Sequence, residues 1–469
     1  MDFEQLKQRF DQAGQGHVFR YWDELPEIEK AGLLSQAAEI DLVELEGLLD
    51  GAETGDGGSV SDLEPAPYIA LPDDLHGDLR WKAARERGED LLRAGKVAAF
   101  TVAGGQGTRL GFDGPKGTFP VTPVKRKPLF RVFAEKIRAA ERVYGTSIPW
   151  LIMTSHANHD ATVAFLEKNG FFGLPAENVS FFRQGRMPAV TFDGKILLEA
   201  KSSIAMSPDG HGGSLRAMVR SGIFETLRSR GIEVISYFQV DNPLVRVIDP
   251  WFIGFHSAQG SEMSSRMIPK AHPDEKVGVF CTWNGRIDVV EYSDLPEKLA
   301  RATDGQGRIR FNSGNIAVHL LETSLVERVA GSGETLPFHR AKKKVPHLDD
   351  AGERVSPSEP NAIKFEMFVF DAVRMAENPL ILETGREDEF SPVKNATGED
   401  SAETCLRDQL KQFARWMRAA GIDIPVDENG VPAIRIEISP LFARDEDSFR
   451  EAWKKLPRKP EVRDGLYLE

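Results

Sequence analysis

Glycine and cationic side chains crowd into one short stretch of the sequence, Ala103-Gly-Gly-Gln-Gly-Thr-Arg-Leu-Gly111, followed shortly by Gly114-Pro-Lys116-Gly117. Clustered glycines let backbone N–H groups approach phosphate oxygens, and a following lysine supplies a mobile positive charge. Thr108, Arg109 and Lys116 in this stretch favour phosphate binding over the competing reading, a ligand-free strand-to-loop turn. Two common phosphate loops fail on spacing. A Walker A loop ends in Gly-Lys-Ser/Thr, whereas here the order is Lys116-Gly117-Thr118. Gly105, Gly107 and Gly111 give G-x-G-x-x-x-G rather than a dinucleotide fingerprint, with no acidic residue about twenty positions on.

Two further places invite chemistry. Pro208-Asp-Gly210-His211-Gly-Gly213 is a second glycine-rich loop, ahead of a helix expected to run from Ser214 to Arg230. A helix N-terminus brings partial positive charge and unpaired N–H groups. Asp241 closes the apolar run EVISYFQVD and precedes Asn242-Pro243. A carboxylate at the end of a central strand sits where open α/β sheets place ligands, and its hard oxygens suit Mg²⁺. A strand-end cap is the alternative. The basic runs Lys125–Lys127 and Lys342–Lys344 read as solvated turns, and the histidines show no zinc-ligand spacing.

The elements that must hold these residues follow from periodicity. VAAFTVAGG, from Val97, is a nearly continuous apolar run ending in glycines, the pattern of a strand buried on both faces. Similar runs recur at 149–155, 178–182, 233–241, 277–280, 287–292 and 314–320. Helical stretches at Leu129–Tyr144 and Asp160–Asn169 lie between the earlier ones. This alternation predicts an α/β core with a mostly parallel, Rossmann-like sheet. The first fifty residues predict helices, residues 51–68 a linker or wrapping arm, and Trp81–Ala94 a helix stopped by Gly95. A helix at Glu403–Ala420, the strand-like AIRIEISPLF and a polar helical tail close the chain.

Length and composition agree with such a core. The 469 residues suggest roughly three folding units at about 150 residues each. We divide them as an N-terminal helical region, 1–95, a catalytic domain, 96–395, and a C-terminal lobe, 396–469. With 59 basic against 72 acidic residues and a net charge of -13, generic nucleic-acid binding is not expected. Two cysteines, no signal pattern and no membrane-length apolar run lead us to expect a soluble, cytoplasmic protein.

The motifs together resemble a known family. GGQGTRLG…PKG is similar to the signature of uridylyltransferases that make UDP-sugars from UTP and a sugar 1-phosphate. PWLIMTS, FFRQGRMPA, FDGKILLEAKSSIAMSPDGHGG, VDNPLV, DPWFIGF, VVEYS, FNSGNIAVH, IKFEMFVFD, REDEFSPVKN and IEISPL follow in family order. They most resemble the eukaryotic-type UDP-N-acetylglucosamine (UDP-N-acetylhexosamine) pyrophosphorylases. The resemblance implies a glycosyltransferase-A-like nucleotidyltransferase core that uses Mg²⁺ or Mn²⁺. It implies that Val102, Ala103, Gly104 and Gly105 line UTP through backbone groups, with Arg109 and Lys116 on the triphosphate. Gln184 would read the uracil edge, Gly210 would pack on the nucleotide, and Asp241 would hold the metal. Lys364 would bind UTP phosphate and Lys394 the sugar phosphate. His211, Glu291, Tyr292 and Asn315 would face the sugar. The implied catalytic residues are Arg109, Lys116 and Lys394. At position 211 the N-acetylglucosamine enzymes usually carry asparagine, whereas histidine resembles the UDP-glucose and broad UDP-sugar enzymes. The implied activity is therefore UTP:N-acetylglucosamine-1-phosphate uridylyl transfer. A glucose-1-phosphate or broad-range enzyme and a non-catalytic nucleotide-sugar sensor are the alternatives.

Overall fold

A computed structural model describes residues 2–50, 63–331 and 335–469 of the chain. The backbone divides into two compact units. The larger comprises Val60–Arg183, Met218–Glu334 and Ala372–Glu469, and the smaller Met1–Ser59, Gln184–Ala217 and Thr335–Asp371.

The larger unit is built on the expected α/β sheet. Val97–Val102 runs parallel to Val234–Gln239 on one side and to Trp150–Thr154 on the other, and Trp150–Thr154 pairs in parallel with Val179–Arg183. Ala98, Ala99, Phe100 and Thr101 have no accessible surface, as required of a strand with helices on both faces. The one polar group among them is satisfied, since the indole N–H of Trp150 donates to Thr101 Oγ1 at 2.8 Å. Beyond Val234–Gln239 the sheet continues through Ser313–Glu322, which is antiparallel to it and to Met263–Pro269. Leu380–Glu383 then adds in parallel to Met263–Pro269. The helix Leu129–Tyr144 has the boundaries its periodicity predicts and buries Leu129, Phe130, Phe133 and Ile137 in the main apolar cluster.

Small residues let two helices of this unit touch backbone to backbone. A Cβ on Gly88, in Leu79–Arg93, would fall 1.9 Å from the Pro250 carbonyl oxygen. One on Gly254, in Pro250–Gln259, would fall 1.6 Å from that of Ala84. Of the predicted linker at 51–68, positions 51–62 lie outside the described residues. Its far end is an edge strand, with Glu64 and Pro65 paired to Thr282 and Cys281. A separate cluster of Phe413, Trp416, Ile436, Phe449 and Leu466 forms the core of the C-terminal region.

Two expectations need correction. The helix predicted over 214–230 is two helices, Gly213–Arg220 and Ile223–Ser229, broken at Gly222, whose φ of +78° is left-handed. Lys127 is not a solvated turn residue. It is 2% exposed, and its Nζ lies 2.6 Å from Glu135 Oε2 and 3.6 Å from Glu437 Oε1. A buried ammonium persists when carboxylates from both sides share its charge. Lys342 and Lys343 are solvated as expected, but they end a strand, Phe338–Lys343.

In the smaller unit the N-terminal helices Phe3–Gln12, Glu27–Glu39 and Leu42–Asp50 appear as periodicity predicts. They accompany a small antiparallel sheet of Phe338–Lys343, Ala362–Met367 and Val190–Thr191. Buried Gln15 ties the helical segment to this unit's hairpin, donating to the Gly194 carbonyl at 2.8 Å and accepting from Ile196 N–H at 3.0 Å.

Candidate active site

In the larger unit Val102 sits opposite Gln239 of the neighbouring parallel strand, so the glycine loop and Asp241 leave adjacent strands at the same sheet edge. That is the edge where open α/β sheets bind ligands. The loop folds back on itself: Gly107 N–H donates to the Gly114 carbonyl at 2.9 Å and Lys116 N–H to the Gly105 carbonyl at 3.1 Å. Lys116 Nζ is thereby brought 3.7 Å from Asp241 Oδ2, with the two side chains 16% and 12% exposed. Asn158 braces the loop, its Nδ2 donating to Ala103 O at 2.9 Å and Gly105 O at 3.2 Å while its Oδ1 accepts from Ser155 N–H at 2.8 Å. A Cβ on Gly105 would meet nothing nearer than Lys116 Cε at 3.9 Å. Arg109 stands exposed on the single turn Thr108–Leu110 and pairs with no carboxylate among the described residues.

Lys394 reaches the same edge by another route. Val393 N–H donates to the Asp241 carbonyl at 2.8 Å. Buried Asn242 grips the preceding segment, donating to the Glu389 carbonyl at 2.6 Å and accepting from Ser391 N–H at 3.2 Å. Lys394 Nζ donates to Asp400 Oδ2 at 3.1 Å. Glu291 and Asn315 converge on Gly278: Asn315 N–H donates to its carbonyl at 2.8 Å, and Glu291 Oε1 lies 3.1 Å from where its Cβ would stand. Asn315 Oδ1 accepts from Ala317 N–H at 2.9 Å, so its amide nitrogen is the group left to donate. Tyr292 is 48% exposed.

The smaller unit holds the other predicted residues. Gln184 is buried, and its Nε2 donates to the Gly210 carbonyl at 2.7 Å, leaving its carbonyl oxygen as the free acceptor. Asp209 N–H donates to the Gly185 carbonyl at 3.1 Å, and Met367 N–H to the Asp209 carbonyl at 2.8 Å. Gly210 has a φ of +83°, and a Cβ there would lie 2.3 Å from the Met367 carbonyl oxygen. His211 Nδ1 accepts from Val369 N–H at 3.2 Å, and its ring lies 5.4 and 5.7 Å from those of Phe368 and Phe370. Desolvation pushes its pKa down to about 4, so the imidazole is neutral and presents Nε2–H as a donor. Lys364 is half-buried on Ala362–Met367, opposite Ala341.

Sequence reasoning singled out the charged residues but not Asn158, Asp400 or the grip of Asn242. Asn242 adjoins Asp241 and Asp400 lies six positions from Lys394 in the chain, whereas Asn158 acts on a loop that only the fold brings near. Among the described residues no cluster of three or more His, Cys, Asp or Glu side chains could hold a metal ion. A lone carboxylate beside a lysine fits Mg²⁺ in one way, as an ion held chiefly by phosphate oxygens and waters with one protein ligand.

Residues 71–401 match the family model described as UTP–glucose-1-phosphate uridylyltransferase. The human UDP-N-acetylhexosamine pyrophosphorylase-like protein 1 is 38% identical, over 93% of this chain and 92% of its own. The UDP-N-acetylglucosamine pyrophosphorylase of Saccharomyces cerevisiae is 36% identical over 88% and 91%. The crystal structure of the uridine diphosphate N-acetylglucosamine pyrophosphorylase from Trypanosoma brucei, solved with an inhibitor, superposes with a TM-score of 0.84 at 28% identity, covering 99% and 98%. A glycine loop and a strand-end carboxylate on this sheet, with motifs shared along nearly the whole chain, place the protein in the UTP–glucose-1-phosphate uridylyltransferase family.

Proposed function

We propose that the protein is an enzyme that joins UTP and N-acetylglucosamine 1-phosphate into UDP-N-acetylglucosamine, releasing pyrophosphate. The observation that carries this reading is the pairing of Lys116, in the glycine loop, with Asp241 after the neighbouring strand, beside Gly105, whose Cβ position would meet nothing nearer than Lys116 Cε. A phosphate oxygen of the sugar phosphate attacks the α-phosphorus in line. The bond from that phosphorus to the bridging oxygen breaks, and both electrons leave with pyrophosphate. Such a displacement needs positioning and charge neutralisation rather than a protein nucleophile.

Within this reading Val102, Ala103, Gly104 and Gly105 line the nucleotide, Arg109 and Lys116 neutralise the β- and γ-phosphates, and Lys364 binds UTP phosphate. Asp241 would hold Mg²⁺ or Mn²⁺, which supplies further neutralisation of phosphate charge. Gln184 offers its acceptor to the uracil N–H, with Gly210 against the nucleotide. Lys394 takes the sugar phosphate. Glu291 accepts from sugar hydroxyls beside Tyr292, and the Asn315 amide donates to an acetyl carbonyl or a hydroxyl. Asp241, Lys116 and Lys394 together speak against a non-catalytic sensor, which need not bind metal or pyrophosphate. We further propose a cytoplasmic location, supported by two buried, unpaired cysteines. No described helix is long and apolar enough to cross a membrane. The proposed C-terminal lobe, from about residue 396, is supported by its own apolar cluster.

His211 favours a second reading, a glucose-1-phosphate or broad-range enzyme, because imidazole lacks the carbonyl acceptor of asparagine. A sugar 1-phosphate panel assayed by pyrophosphate release separates the two. Highest kcat/KM on N-acetylglucosamine 1-phosphate supports the first, on glucose 1-phosphate the second, and activity on no sugar phosphate overturns both.

A further inference from the structure

We infer that Lys136 is a positioning residue for the loop that carries Asp241. This rests on the proposed metal role of Asp241. Lys136 lies in the helix Leu129–Tyr144, and its Nζ donates to the carbonyls of Pro243 at 2.5 Å and Val245 at 2.7 Å. An amine satisfied by backbone carbonyls gains no opposite charge in contact, and burial lowers its pKa to about 7. A lysine in such a place is costly unless its bonds secure something, and a methionine would fill the same volume without that cost.

What the bonds secure is the turn directly after Asp241. Asn242 grips the Glu389–Ser391 segment from one side of this turn, as described above. Its Oδ1 also accepts from Leu244 N–H at 3.2 Å. Lys136 grips the same turn at the carbonyls of Pro243 and Val245. The two side chains leave the backbone between positions 241 and 245 little freedom, so the carboxylate of Asp241 is held from a rigid base. Positional errors near 1 Å at a reacting centre are worth about 10²-fold in rate, which makes such a clamp consequential. The clamp borders a cavity of about 100 Å³ lined by Lys136, Pro243, Val247, Trp251, Phe413 and Trp416. That space lets the turn shift once the lysine's two bonds are lost.

The test is metal affinity in the folded protein, which a role in stability alone would leave unchanged. Mn²⁺ binding is titrated by electron paramagnetic resonance with UTP present, and UTP binding is measured separately by calorimetry in chelator. Lys136→Met should weaken Mn²⁺ roughly tenfold, with UTP binding in chelator within twofold of wild type. Lys136→Gln, which keeps two N–H donors on a shorter arm, should fall between and provides the measurement if the methionine variant does not fold. Asp241→Asn is run alongside. If Asp241→Asn weakens Mn²⁺ while folded Lys136→Met or Lys136→Gln binds it within twofold of wild type, the clamp is overturned and the metal site stands. If Asp241→Asn itself binds Mn²⁺ normally, the metal reading fails, and the clamp with it.

Discussion

The two glycine loops differ in the room their glycines leave. In the loop of the larger unit, Gly105 has space where its Cβ would be, with Lys116 Cε the nearest atom at 3.9 Å. In the loop of the smaller unit, a Cβ on Gly210, Gly212 or Gly213 would lie 2.3, 2.7 or 2.2 Å from Met367 O, Met367 C or Asp209 Oδ1. At Gly105 the first loop leaves room beside the chain, although a Cβ on Gly107 or Gly117 would lie 2.7 Å from Phe112 Cδ1 or 2.2 Å from Phe130 Cε2. The second loop leaves no such room at any of these three glycines, because the chain folds onto itself there. Their surroundings differ in the same sense. Arg109, Lys116, Asp241 and Lys394 surround the first with charge. Neutral Gln184 and His211 dress the second, each with one donor or acceptor committed to backbone and the complementary group left over. In the proposed reaction the first region would handle phosphate charge and the second would read shape and hydrogen bonds.

The charge-handling half is broken most directly at Asp241. Asp241→Asn keeps the volume and removes the charge, and turnover at ordinary Mg²⁺ should fall at least about a hundredfold, as for one strong electrostatic stabiliser. Steady-state rates checked against an unchanged melting curve decide it, and near-normal turnover would remove Asp241 from the metal site.

Lys394→Ala should come next. Its ammonium is placed by the Val393–Asp241 backbone bond and held by Asp400, on a different segment from the nucleotide loop. Losing a charge-assisted bond costs about 1.5–3 kcal/mol, so turnover should drop roughly 10- to 100-fold. Calorimetric UTP affinity should change little. Equal loss of both would put this lysine on the wrong substrate.

The glycine contrast itself is sharpened by a pair of alanines. Gly210→Ala combines a left-handed backbone with a 2.3 Å clash against a carbonyl, and should cost at least about 2 kcal/mol in urea unfolding. Gly105→Ala should change stability by less than about 1 kcal/mol while weakening UTP binding. The reverse pattern would mean that the roles of the two loops have been exchanged.

These comparisons also mark what the sequence could carry. Val97–Val102, the loop after it and Asp241 were legible because each property is local: an apolar run, a glycine cluster, a carboxylate at a strand end. The family motifs added Lys394, Glu291 and Asn315, which no spacing would have singled out. Lys127 was misread, because its partners Glu135 and Glu437 stand 8 and 310 positions away and only folding makes a basic turn into a buried ion cluster. Asn158 and Lys136 were invisible for a related reason. Their bonds go to backbone carbonyls, which every residue has and no sequence pattern distinguishes.

The reading half is tested at His211, where the smallest effect is expected. Val369 N–H fixes the tautomer, so the ring keeps its Nε2–H donor and lacks the carbonyl acceptor an asparagine amide would bring. One missing hydrogen bond is worth about 0.5–1.5 kcal/mol, so the preference for N-acetylated over plain hexose phosphate should be softened by roughly two- to twelvefold. His211→Asn should restore that preference, read as the ratio of kcat/KM values for N-acetylglucosamine 1-phosphate and glucose 1-phosphate. Because the folded pKa is lowered to about 4, the ring stays neutral, and the wild-type ratio should be flat from about pH 5.5 to 8. The sign for stability is opposite to that of a paired histidine. The unfolded chain takes up the proton first, so this residue's contribution is complete above the ordinary histidine pKa of about 6.5 and is lost as pH falls from there toward 4. A wild-type ratio that swings severalfold between pH 6 and 8 would show a ring that titrates there. Exclusive use of glucose 1-phosphate by both wild type and His211→Asn would show that specificity is set elsewhere, with uridylyl transfer left intact.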